Sequence, residues 1–283
     1  SMAQLIVPDY LFFGEEAGKN IDLSEFYGDA NKKKVSARGI IDILKRYNFT
    51  VEENMPFDKD VSLDPELLGK VFENLLASYN PETQQTARKQ TGSFYTPREI
   101  VQYMVDESLV THLKRTVGNE LESEYRKLLD YADNEILLTE QQKLAIMQSL
   151  YNCKILDPAC GSGAFPVGVL QQMVHILKQI DPDNSRWKNM LLQFAIDETS
   201  EAYLNSTAEE RREAVADIER AFDENVNYPD YARKLHLIEN CIYGVDIQPI
   251  AIQISKLRFF ISLVIDQKRN DNPADNFGIR PLP

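Results

Sequence analysis

Two strand-then-helix passages constrain this chain more than anything else in it. Lys154-Ile155-Leu156-Asp157 has a strand pattern and runs through a glycine-rich turn into a helix carrying Val169, Leu170, Met173, Val174 and Leu177. Asp181-Pro182 should end that helix. Ile242-Tyr243-Gly244-Val245-Asp246 repeats the arrangement, followed by a helix with Ile250, Ile254, Leu257, Ile261 and Val264 at i, i+4, i+7 spacing. Two such units imply a parallel sheet, hence an α/β fold. Residues 183–240 between them are charged and mostly helical in pattern, an insertion in which Ser206 and Glu209 are placed to form a capping box.

Upstream, Ile100 to Leu113 is expected as a helix and Asn119 to Leu150 as a polar, helical stretch. Val35 to Tyr47 and the stretch from Asp64 also carry helical signals, and Tyr79 to Gln90 reads as a polar connection. The expected organisation is a helical domain and linker over 1–90, then an α/β domain over 91–283 with the insertion at about 183–240. Ser1 before Met2 reads as a residue left by processing of an expression vector product, and it is excluded from fold reasoning.

Charge and cysteines bound the function classes. A formal net charge of -13 argues against most of this surface lying on a phosphate backbone, because such binding draws on Lys and Arg. No apolar run is long enough to cross a bilayer. Three cysteines without a CxxC pair suggest neither a disulfide framework nor a zinc cluster, and a reducing cytoplasm fits. His112, His175 and His236 show no ligand spacing, so no metal site is expected.

The turn Asp157-Pro158-Ala159-Cys160-Gly161-Ser162-Gly163-Ala164-Phe165 sits where open α/β sheets bind nucleotides. Gly168 follows Gly163 with four residues between, which speaks against the Gly-x-Gly-x-x-Gly of dinucleotide folds. An acidic residue before the turn disfavours a diphosphate and favours a ligand with a positive group. S-adenosylmethionine, with its ammonium and sulfonium, meets that need. The competing reading is a corner whose glycines only permit tight packing. Cys160 reads as a small buried thiol. Asp246, at the end of the second strand, can accept hydrogen bonds from both ribose hydroxyls of an adenosine with Ile247 against the ring, or it can simply cap the helix at Pro249.

Thr91-Gly92-Ser93-Phe94-Tyr95-Thr96-Pro97-Arg98-Glu99 enters a helix with Thr96 as cap, Pro97 at the first position and Glu99 three residues on. A ligand carboxylate can sit at such a helix start beside Thr96, and Phe94 or Tyr95 can face a sulfonium. A plain capping box with two core aromatics is the alternative.

Together the three segments resemble the amino-methylating DNA methyltransferases, most closely the adenine-N6 methylases of bifunctional type II restriction-modification enzymes and their phage-defence relatives. Thr91 to Pro97 looks like that family's N-terminal cofactor motif, Asp157 to Phe165 like its first sheet motif, and Gly244-Val245-Asp246-Ile247 like its second. The resemblance implies a Rossmann-like S-adenosylmethionine-dependent core, incomplete in this chain, with a small helical domain before it. It implies cofactor contacts at Thr91, Gly92, Ser93, Phe94, Tyr95, Thr96, Asp157, Pro158, Ala159, Cys160, Gly161, Gly163, Phe165, Asp246 and Ile247. Among these, Tyr95 and Thr96 would meet the methionine end, Asp157, Ala159 and Gly161 the amino-acid moiety, and Asp246 with Ile247 the ribose and adenine.

The chain departs from the family in one respect: the Asn/Asp-Pro-Pro-Tyr/Phe catalytic motif, which would hold a flipped adenine, is found nowhere in it. No catalytic residue is therefore assigned, and the chain by itself is expected to be inactive. The full-length parent would methylate double-stranded DNA, with the missing motif, a DNA-recognition domain and a possible fused nuclease expected beyond Pro283. A methyltransferase acting on protein glutamine or RNA, and a scaffold or DNA-contacting module that binds no cofactor, are the competing readings.

Overall fold

The computed structural model describes residues 96–280 apart from 133 and 198–205, together with the isolated positions 31 and 41. The chain divides into two compact units, Ser1–Leu68 and Gly69–Pro283, and residues 96–280 fall in the second. The helical stretches expected at Val35 to Tyr47 and from Asp64, the connection at Tyr79 to Gln90, and the segment Thr91 to Tyr95 lie outside the described residues.

The described part of the second unit is mostly helical, with a small parallel sheet. In chain order the elements are α1 (Arg98–Thr116), α2 (Glu122–Leu129), α3 (Glu140–Tyr151), β1 (Ile155–Asp157), α4 (Ala164–Ile180), α5 (Ser185–Ile196), α6 (Ala208–Ala221), α7 (Asp230–Asn240), β2 (Ile242–Gly244) and α8 (Pro249–Val264), with 3-10 turns at Asn119–Leu121 and Pro273–Gly278. The two strands run parallel, with Ile155 opposite Ile242, Leu156 opposite Tyr243 and Asp157 opposite Gly244. A parallel pair needs a long crossover, and α4 through α7 supply it.

The central helix is α4. Its Leu170, Met173, Ile176 and Leu177 are fully enclosed, joined by Leu113 of α1, Leu128 of α2 and Ile146 of α3. Gly168 lets α1 come close, since a Cβ there would lie 3.2 Å from Val101 Cγ1. Gln172, buried in the same layer, ties three helices by donating to Asp106 Oδ1 at 2.7 Å and to the Leu129 carbonyl at 3.2 Å. Burial raises the Asp106 carboxyl above the usual carboxylate range.

Two helix starts fall one residue later than the sequence suggests. The capping box in the insertion is built by Thr207 and Glu210, not Ser206 and Glu209: the Thr207 hydroxyl accepts from the Glu210 N–H at 3.2 Å and Glu210 returns to the Thr207 N–H at 2.6 Å. Both pairs have the same spacing, and the structure uses the one immediately before Ala208. At α1 the cap position is Pro97, whose carbonyl accepts the first helical hydrogen bonds from Ile100 and Val101, so Thr96 stands one place too early to cap with its hydroxyl. The expected end of α4 is as read, at Asp181, whose carboxylate instead receives the N–H groups of Arg186 and Trp187 at the start of α5.

One face of the sheet is covered and the other is bare. Ile155 and Ile242 pack against the main core, whereas Leu156 and Tyr243, directly opposite one another on the other face, remain 62% and 45% exposed. Along α8, Ile250, Leu257 and Ile261 form an exposed apolar stripe. No helix among the described residues is long and apolar enough to cross a membrane.

Candidate functional site at the strand tips

The carboxyl ends of β1 and β2 meet, and hydrogen bonds knit the turns beyond them. Val245 N–H donates to the Asp157 carbonyl at 2.9 Å, continuing the ladder past the last paired residues. Cys160 N–H returns to the Val245 carbonyl at 3.0 Å, and Gly161 N–H donates to Asp246 Oδ2 at 2.9 Å. The other oxygen of Asp246 accepts from Gln248 N–H at 2.8 Å. Asp157 and Asp246, predicted at the tips of neighbouring strands, are thus brought to one corner. Asp246 spends one oxygen on the glycine turn and the other near the start of α8, although the residue in the cap position is Gln248.

The two carboxylates are not equally satisfied. Asp157 Oδ1 accepts from Ala159 N–H at 3.0 Å, while Oδ2 is buried without a hydrogen-bond partner. A buried carboxylate oxygen left in that state is costly, so it calls for a donor or a cation. Each Asp246 oxygen accepts one backbone N–H and keeps a further lone-pair site.

The glycines of the turn do different jobs. Gly161 has φ +53° and Gly163 φ +88°, both in the left-handed region that favours glycine. Among the described residues, a Cβ on Gly161 would meet nothing within 4 Å, so its missing side chain faces open space there. A Cβ on Gly163 would sit 2.5 Å from Ser255 Oγ, so that glycine lets the turn lie against α8. Gly244 has a similar packing role, since a Cβ there would come 2.9 Å from Cys160 Sγ.

The remaining predicted positions divide likewise. Pro158 and Ala159 are exposed, Ile247 is 87% exposed beside Asp246, and Phe165 packs its ring against the main core. Cys160 is buried, and its thiol is pushed up by burial and then by the neighbouring Asp157 and Asp246, which keeps it protonated. Thr96 is half-buried, and Thr91, Gly92, Ser93, Phe94 and Tyr95 lie outside the described residues. Two residues that belong to none of the three motifs also reach the corner. Ser255 backs Gly163, and Arg258 Nη1 donates to the Ser162 carbonyl at 3.1 Å. The legible signal for the second was a cation inside the apolar run Leu257-Arg258-Phe259-Phe260-Ile261.

No group of three His, Cys, Asp or Glu able to hold a metal ion occurs among the described residues. His112 pairs with Ser149, His175 with Gln179 and the Asp130 carbonyl, and His236 lies among aromatic rings.

Over 237 residues, 80% of this chain, the sequence is 27% identical to a protein of Methanocaldococcus jannaschii named "Putative type II restriction enzyme and methyltransferase". The chain is similar to a restriction-modification methyltransferase. It spans 16% of that relative's length. No family model matches the chain. No solved structure matches it either.

Proposed function

We propose that this chain is the S-adenosylmethionine-binding portion of a site-specific DNA adenine-N6 methyltransferase of a restriction-modification or phage-defence system. The observation that carries the reading is the corner at the strand tips. There Asp157, whose Oδ2 has no hydrogen-bond partner among the described residues, and the doubly anchored Asp246 carboxylate stand at neighbouring strand tips, and the turn that bonds to Asp246 holds Gly161, whose Cβ side is open. The similarity to a restriction-modification methyltransferase supports the same class.

The residues suit the cofactor chemically. Asp157 Oδ2 would accept the ammonium group, relieving its own deficit. Asp246 would take the two ribose hydroxyls on its remaining lone pairs, and Ile247 would lie along the adenine. The turn backbone at Ala159 and Gly161 would border the amino-acid moiety, with Thr96 and Tyr95 at the methionine end as the family resemblance implies. When bound, S-adenosylmethionine supplies an electrophilic methyl group on its sulfonium. Two carboxylates, neither in an ion pair among the described residues, favour a cationic ligand over a diphosphate at this corner.

The sheet belongs to a Rossmann-like core on this reading. Parallel sheets are ordinarily covered on both faces, so the exposed Leu156 and Tyr243 and the apolar stripe of α8 fit a core that continues with further strands. The acceptor-binding motif and the DNA-reading surface would belong to a longer polypeptide, and the net charge of -13 agrees with DNA contacts lying mainly outside this chain. The domain limits belong to the same proposal: a helical domain and linker over 1–90, and the cofactor-binding part over 91–283 with its insertion at about 183–240.

Calorimetric titration with S-adenosylmethionine tests the reading. Binding is expected, and Asp246→Ala should weaken it about a hundredfold, because hydrogen bonds to a charged group are worth about 1.5–3 kcal/mol each. Absence of binding by the unaltered chain would sink the proposal. Radiolabel transfer should be undetectable with this chain alone, and should reach adenine in DNA, not RNA or protein, with a parent polypeptide that carries the acceptor motif.

A further inference from the structure

From Cys160 to Gly163 each position of the glycine turn meets the chain beyond β2. Cys160 is bonded to Val245, Gly161 to Asp246, Ser162 to Arg258, and Gly163 rests on Ser255. Ser255 and Arg258 are three residues apart on α8, and so lie on one face of that helix. The half-buried guanidinium of Arg258 spans 96 positions in sequence to reach the Ser162 carbonyl.

A peptide group is planar, so the direction of the Ser162 carbonyl also sets the Gly163 N–H, which closes the turn on the Cys160 carbonyl at 2.8 Å. Gly163 is in turn the residue preceding α4, whose first helical hydrogen bond runs from Val167 N–H to the Gly163 carbonyl at 3.0 Å. Arg258 therefore fixes the peptide through which the turn's orientation passes to the first turn of α4. Ser162 lies between two glycines in left-handed conformations, where the backbone is least able to hold its own geometry.

We propose that Arg258 is a positioning residue for the amino-acid end of the cofactor, acting through the Ser162–Gly163 peptide. The proposal rests on the corner being an S-adenosylmethionine site. The adenosine end, held by Asp246 and Ile247, is reached from that peptide only at one remove, through the Cys160–Gly161 peptide whose N–H meets Asp246, so it is expected to feel Arg258 less. Arg258 thus separates the two ends of one ligand.

The test compares S-adenosylmethionine with 5′-methylthioadenosine, which keeps the adenosine and lacks the amino-acid moiety, by calorimetry on the full chain. Arg258→Gln is expected to weaken S-adenosylmethionine about tenfold, as losing a charge-assisted hydrogen bond does, and 5′-methylthioadenosine less than twofold. Asp246→Ala should weaken both. Equal losses for the two ligands in Arg258→Gln, the signature of a merely structural role, would overturn the proposal, as would no loss for either. Should Arg258→Gln fail to fold, Arg258→Lys carries the test, with the same selective loss expected at smaller size and equal losses overturning it. If the unaltered chain binds neither ligand, the cofactor reading itself fails and this inference with it, an outcome seen before any variant is made.

Discussion

Among the described residues, two of the places that hold buried polar atoms without partners differ in their surroundings, and the surroundings give those atoms opposite meanings. In the first, Tyr151 stacks between Phe194 and His236 with ring centroids 4.4 and 4.5 Å away, and Trp187 meets His236 edge-on at 5.4 Å. Trp187 Nε1 and His236 Nε2 are buried there without a hydrogen bond. Burial pushes the His236 imidazole down to about 4, so it stays neutral, with its Nε2 buried beside the rings. In the second, at the strand tips, the unpartnered atom is a carboxylate oxygen of Asp157, and the neighbouring Gly161 opens onto free space. A neutral ring nitrogen without a partner costs stability, whereas a carboxylate oxygen without one, at the tips of parallel strands, can be met by a cationic ligand.

The largest effect is expected from removing the deficit at the strand tips. Asp157→Asn keeps an acceptor for the Ala159 N–H and removes the charge. Truncating one partner of a buried charge pair costs roughly 2–5 kcal/mol of binding, so S-adenosylmethionine affinity should fall about a hundredfold or more. The melting temperature should change little, because Asn keeps an acceptor for the Ala159 N–H and the oxygen that loses its charge has no partner in the free chain. A fall in stability with unchanged affinity would put Asp157 in the same class as the aromatic cluster.

The aromatic cluster should answer to pH instead. His236 is pulled below its ordinary value of 6.5 to about 4 by burial first, and then by the charge of Lys154. As pH falls from 6.5 towards 4, the unfolded chain takes up a proton that the folded chain refuses. The stability present above pH 6.5 is therefore lost through that window, by about 3 kcal/mol at its lower end. His236→Phe should remove this part of the pH dependence. The single tryptophan, Trp187, lies against the titrating ring and reports the unfolding by fluorescence. Coincident denaturation profiles for the two proteins at pH 4.5 would refute this.

The sequence announced the strand-tip corner more clearly than the aromatic cluster, for a physical reason. Strand, turn and helix in the two βα units each leave a local pattern, so β1, α4, β2 and α8 were legible, as was the position of Asp157 and Asp246 at the ends of neighbouring strands. Tyr151, Trp187, Phe194 and His236 come from three helices, α3, α5 and α7, and no local spacing connects them. Arg258 was missed on the same grounds, since its partner lies 96 residues away. The caps at Thr207 and Pro97 were misplaced by one residue because overlapping polar residues offer several starts, and only the hydrogen bonds choose among them. Glycine spacing located the turn but could not tell which glycine faces packing and which faces space.

That last distinction yields the most diagnostic effects, and in Gly161→Ala the smallest change in stability. Gly163→Ala must place a Cβ 2.5 Å from Ser255 Oγ in a left-handed conformation, so overpacking and backbone strain combine to cost about 3 kcal/mol of stability. Gly161→Ala carries only the backbone cost of φ +53°, about 1 kcal/mol, because its Cβ meets nothing. The order should reverse for the ligand. The Gly161 methyl group would occupy the space proposed for S-adenosylmethionine and weaken binding, while Gly163→Ala, measured where it is folded, should bind more nearly as the unaltered chain does. Melting temperatures and calorimetric affinities on the two variants decide it. If Gly161→Ala binds normally, the open space beside Asp157 is not where the ligand lies, and the contrast between the two clusters loses its functional half.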